Sequence, residues 1–137
     1  MTLDDLESYI ESLRKEVDWL TVFNFVASVE ASIRMDFDRR ITARRKDPLS
    51  RSYRKWLKGL SPRKKKRLSL DEGGILEIVK VHADRGLRAL IGSFRECLPA
   101  RHWVGHGRYW NRPERMDRLT PGIVLARCRD LLDAWPD

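Results

Sequence analysis

Apolar residues in this chain recur at steps of three and four, and no stretch sustains an alternation of two. Leu6, Ile10, Leu13 and Val17 open the pattern, behind a Thr2-x-x-Asp5 start whose side chains can cap the first helical amides. Trp19, Phe23, Val26, Glu30, Ile33 and Phe37 follow. Those six define one side of an α-helix, apolar except at Glu30. Pro48 and the Ser61-Pro62 pair punctuate the next region, and between them RSYRKWLKGL predicts a short helix that Gly59 helps to end. Ser69 to Glu72 offers another start, weakened by Gly73-Gly74. Leu76, Val79, Ala83, Leu87, Leu90 and Phe94 then predict one amphipathic helix that stops before Pro99. Pro121 suits the first turn of a last helix lined by Val124, Cys128, Leu131 and Trp135. The expectation is a single all-α domain over 1–137: an antiparallel bundle of four to five helices with a basic insertion at 43–67, ordered or mobile, after the first long helix.

Composition sharpens this picture at two points. A hydrophobic share of 42% beside 35% charged residues suits a soluble helical domain. No run approaches the ~20 apolar residues of a spanning helix. The acidic N-terminus does not resemble a signal peptide, so the expected location is the cytoplasm, with no membrane partner. The net charge of +8 is concentrated. Residues 39–67 hold 14 Lys or Arg against the single acid Asp47, a local +13. That footprint fits a polyanion, with RNA the first candidate. Within it Arg63, Lys64, Lys65, Lys66 and Arg67 form the densest run. A solvated basic face, or an unordered loop, is the simpler alternative.

The chemistry gathers in residues 99–110, PARHWVGHGRYW, which are expected to break the helical pattern. Arg101 stands five residues before His106, and His102 lies between them. Cleaving RNA without a metal needs a base for the 2′-hydroxyl, an acid for the leaving oxygen and a cation for the phosphate. Histidine suits the proton transfers, and arginine's planar fork suits the phosphate. One copy of the pair is thin for this reaction, so a homodimer with a composite site along its seam is expected. Cys97 and Cys128 lack the paired spacing of a structural zinc site with these histidines, and no metal or cofactor is expected. Both cysteines fall beside apolar stretches and are read as reduced and buried. Trp103 is read as a core or interface aromatic, Trp110 as open to either role, and His82 as structural.

The stretch Arg101-His102-Trp103-Val104-Gly105-His106 resembles the R-x4-6-H signature of the HEPN superfamily, and FVASVEASIRMDF is similar to its first long helix. That resemblance implies a small all-α dimer, commonly a metal-independent ribonuclease acting as a toxin or in phage defence. It implies Arg101 as the phosphate-stabilising cation, His106 as the general acid/base and His102 as a polar helper. Glu30 would be the inner acid that approaches the motif arginine. From the residues alone, a Glu30–Arg34 pair one turn apart is an equal alternative. Tyr109 stands three residues after His106, one further than the tyrosine that some members modify. With Arg108 it joins the expected RNA-contacting set, packing being its alternative. A cognate antitoxin or a nucleotidyltransferase would be partners of the kind the family implies. Against a nuclease stands a non-catalytic module of the same fold that binds RNA, a nucleotide or a protein. A scaffold that covers a partner enzyme would instead show an exposed apolar helix face and a buried, inert motif. A DNA-binding regulator is disfavoured because no helix-turn-helix pattern is present.

Overall fold

The computed structural model describes residues 1–106, 112 and 116–137, and all regular structure among them is helical. In chain order the elements are α1 (Leu3–Thr42), α2 (Pro48–Gly59), α3 (Pro62–Lys66), α4 (Ile75–His82), α5 (Arg85–Arg95), α6 (Leu98–Gly105) and α7 (Pro121–Ala134). A single 3-10 turn, Met116–Arg118, precedes α7. The all-α expectation holds, with more and shorter helices than the apolar pattern predicted.

α1 begins where the sequence placed its cap. The Asp5 backbone N–H donates to Thr2 Oγ1 at 3.1 Å, and the Thr2 N–H donates to Asp5 Oδ2 at 2.8 Å. The helix then runs for 40 residues without a break. Its second half carries the core face: Val22, Val26, Val29, Ile33 and Phe37 are buried. α6 and α7 both lie along α1, α7 also packs on α5, and α2 bridges α1 and α4. The first half behaves differently. Leu6, Ile10, Leu13 and Val17, read in the sequence as recurring at helical spacing, are exposed along with Leu3 and Leu20.

The basic insertion is folded. Asp47 caps α2 through the Ser50 N–H at 3.0 Å, and Pro48 occupies the first turn. α2 then delivers Leu49 and Tyr53 to the core. The Tyr53 ring meets Phe37 at 4.7 Å between centroids, and Trp56 meets Phe37 edge-on at 6.0 Å. The aromatics interleaved with the charges therefore anchor this segment to α1, which leaves most of its cations at the surface, Arg45 and Arg54 being half-buried.

Two predicted boundaries are corrected. The single helix expected from Leu76 to Phe94 is divided at Ala83, where Asp84 accepts from the Leu87 N–H at 2.8 Å and starts α5 afresh. The stop expected before Pro99 is observed, α5 ending at Arg95, but the chain re-enters a helix at once. Pro99 sits in the first turn of α6, where its missing N–H costs nothing. Arg101 and His102 are thus helical, not part of an irregular break. At Gly73-Gly74 the chain needs glycine: Gly73 has φ +61°, and a Cβ on Gly74 would stand 2.0 Å from the Ser69 carbonyl oxygen.

A buried charge cluster ties the far end of α1 to both flanks. Arg40 is fully buried; its Nε donates to Asp36 Oδ2 at 2.7 Å and its Nη1 to Asp47 Oδ2 at 3.2 Å. Its remaining terminal nitrogen donates to the Pro136 carbonyl. Asp36 also accepts from Arg39 at 2.6 Å and from the Trp135 indole at 3.0 Å. Burial alone would raise the Asp36 carboxyl, but the hydrogen bonds from Arg40, Trp135 and Arg39 outweigh it and hold the group below its ordinary range.

Candidate active site

α6 is short, and its position is fixed by the residues it buries. Leu98, Ala100 and Trp103 enter the core, and Trp103 meets Trp19 of α1 edge-on at 5.3 Å. This confirms Trp103 as a packing aromatic. At the end of the helix, Gly105 allows close approach to α1: a Cβ there would stand 3.0 Å from Phe23 Cε2. Seating α6 this way turns Arg101 toward α1 and leaves His102 and His106 exposed.

Arg101 Nη2 lies 3.2 Å from Glu30 Oε2, and its guanidinium sits over the Phe23 ring at 5.5 Å. Of the two partners open to Glu30, the structure selects Arg101. Arg34 instead donates to the Leu68 carbonyl at 2.6 Å. The polar interruption in the apolar stripe of α1 is therefore one half of an ion pair between helices. Arg101 Nε is buried and has no hydrogen-bond partner among the described residues. The cation is positioned by Glu30 and by the aromatic face, and its bonding capacity is not filled.

His106 closes α6, its backbone N–H donating to the His102 carbonyl at 3.0 Å. One helical turn apart, the two imidazoles stack, with centroids 5.9 Å apart and planes inclined by 14°. Glu30 is thus paired with Arg101 and lines a depression with His102, which in turn stacks on His106. Cys97 and Cys128 are buried, whereas both histidines are exposed. Burial, and then the neighbouring Cys97, push the Cys128 thiol up to about 12. No group of three or more metal-ligating side chains occurs among the described residues.

The basic run reaches this site through a pair of adjoining depressions. One, of about 290 Å³, is lined by Glu30, Arg34, Arg67, Asp71 and His102, among others. The next, of about 280 Å³, shares Arg34 and Arg67 and adds Lys65 and Lys66. Arg63 and Lys64 are exposed on α3 beside them. Arg34, considered in the sequence only as a partner for Glu30, proves to line both depressions, as Arg67 does. Its position one turn beyond Glu30 was the available signal. Arg108 and Tyr109 lie outside the described residues, as does Trp110.

A larger and more apolar hollow of about 450 Å³ lies between α2 and α4 and includes Trp56, Ile78 and His82. His82 Nε2 is 2.7 Å from Ser52 Oγ, a structural contact between those helices. The convergence of charge is at α6, not here.

Comparison with known proteins finds no match. No family model, no curated protein and no solved structure resembles the chain closely enough to count. The functional reading rests on the site itself.

Proposed function

We propose that this chain is a metal-independent endoribonuclease of HEPN type, serving as a toxin or defence effector. The observation that carries the reading is the cluster at α6: a positioned guanidinium beside two exposed, stacked imidazoles. His106 takes the 2′-hydroxyl proton, His102 returns a proton to the 5′ leaving oxygen, and Arg101 bears the charge gathering on the phosphate. The products are a 2′,3′-cyclic phosphate end and a 5′-hydroxyl end. Glu30 is a positioning residue that acts through Arg101.

The basic surface supports RNA as the substrate, because Lys65, Lys66, Arg67 and Arg34 continue the path away from His102. A backbone threaded there meets cations on the way to the histidines. The expectation of a composite site assumed one working histidine per copy. With His102 beside His106, the proposal places a full set of groups in each protomer.

The experiment is cleavage of single-stranded RNA by the purified chain in excess EDTA. Wild type cuts, Arg101→Ala and His106→Ala lose about 100-fold or more, and His102→Ala is impaired less. RNA left intact across the range from about pH 5 to pH 9, or variants that cut as well as wild type, refute the proposal. Intact RNA whose salt-sensitive binding survives Arg101→Ala but is lost on neutralising 63–67 favours the non-catalytic module. The exposed apolar half of α1 is the face expected of a scaffold, whereas the exposed histidines are not the buried motif expected with it.

A further inference from the structure

The first half of α1 carries an apolar seam that nothing among the described residues covers. Leu3, Leu6, Ile10, Leu13, Val17 and Leu20 follow one another at steps of three, four, three, four and three. Each remains between 42% and 70% exposed. The first buried residue of α1 is Val22. At 100° per residue the seam lies roughly opposite the face formed by Val22, Val26 and Val29. It therefore points away from the body of the molecule and away from α6. A helical arm of about 20 residues gains little from propensity alone and is normally held by packing on its apolar side.

The spacing is that of a heptad repeat, and the residue types choose among its forms. Within the seam Leu6, Leu13 and Leu20 hold the d positions, while Leu3, Ile10 and Val17 hold the a positions, two of the three β-branched. Leucine at d with β-branched residues at a favours two parallel strands. The next a position is Asn24, also exposed. In a parallel, in-register pair the two Asn24 amides face each other and can hydrogen-bond, a device that fixes register. Beyond it Ala27 and Ala31 continue the repeat with small side chains.

The flanks agree with this arrangement. A parallel register sets Glu7 near the partner's Thr2, Arg14 near the partner's Tyr9 and Thr21 near the partner's Glu16, so no like charges oppose. An antiparallel pair centred on Ile10 and Leu13 would carry Asn24 beyond the end of the overlap. The six seam residues leave roughly 600 Å² exposed per protomer, or about 1,200 Å² in a pair, which reaches the lower edge of a stable interface.

We infer that the arm Leu3–Asn24 docks a second copy of this chain as a parallel two-stranded coiled coil. The two bodies then sit at the same end, with each α6 facing outward. The interface uses none of Arg101, His102 or His106, so it stands or falls separately from the nuclease proposal.

The test is sedimentation equilibrium of the full chain between about 1 and 100 μM, with two sets of variants. Wild type is expected as a dimer. Leu13→Ser with Leu20→Ser is expected to raise the dissociation constant at least about 100-fold. Both positions are exposed, so the melting of the body reports that the fold is kept. Leu6→Cys is expected to form a symmetric disulfide between copies on mild oxidation; Cys97 and Cys128 are buried and do not compete. A monomeric wild type overturns the inference, including one whose arm binds phosphatidylcholine vesicles. So does a dimer that survives the double substitution, or one in which Leu6→Cys copies fail to link.

Discussion

Arg40 and Tyr53 show how single buried groups set the stability of this molecule. Arg40 is fully enclosed and satisfied by Asp36, Asp47 and the Pro136 carbonyl. A buried pair of this kind contributes little net stability but is costly to break from one side. Its pH dependence has a definite sign. The Asp36 carboxyl is held below the unfolded value of about 3.9. Its stabilising contribution is therefore present above that value and is lost as pH falls through the folded one. Asp47 acts in the same direction: burial opposes its charge but is outweighed by the Ser50 N–H and hydroxyl and by Arg40 and Arg45. Melting followed by circular dichroism is expected to be steady from about pH 7 to pH 5 and to fall steeply below about pH 4. A melting temperature that rises on acidification contradicts this account. Tyr53 presents the opposite case. Its hydroxyl is buried and has no partner among the described residues. Tyr53→Phe is expected to leave stability unchanged or raise it by up to about 1 kcal/mol, read from urea midpoints. A loss of more than about 1 kcal/mol would contradict it. Neither feature is legible in the sequence, because both depend on contacts between distant segments. Glu30 was legible, since a carboxylate in an apolar stripe must find a cation.

Among the elements, the break between α4 and α5 is the clearest case of a pattern overruled by a local signal. Val79, Ala83 and Leu87 keep helical spacing across the break, so periodicity alone predicts continuity. Asp84 decides otherwise by capping the Leu87 amide. Asp84→Ala is expected to cost about 1 kcal/mol in chemical denaturation, whereas an unchanged midpoint would mean that the cap is dispensable. α6 shows the converse. Pro99 can end one helix or begin another, and what selects the second role is the burial of Leu98, Ala100 and Trp103 against neighbouring helices. The starts of α1 and α7 were readable because Thr2 and Thr120 act within three residues of themselves. Tertiary choices were not readable, and α1 is the extreme example. Its N-terminal stripe keeps the same helical spacing as the one that follows, yet among the described residues the packing on the body begins only near Trp19.

Across the whole molecule, charge and shape are divided along α1. One face seats the core and holds Glu30 for Arg101, and the opposite face presents the uncovered seam. The basic insertion folds back through Tyr53 and Trp56, which brings Lys65, Lys66 and Arg67 to the approach of His102. The concentration of cations was visible in the sequence; their delivery to the histidines required the fold. The central claim is that a guanidinium and two imidazoles on α6 act on one RNA phosphodiester. Mass spectrometry of the ends left on a defined single-stranded RNA, incubated with the purified chain in excess EDTA, tests this most directly. The account predicts 2′,3′-cyclic phosphate and 5′-hydroxyl ends from wild type and none above background from Arg101→Ala or His106→Ala. Intact RNA, 5′-phosphate ends, or the same products from those variants would contradict it.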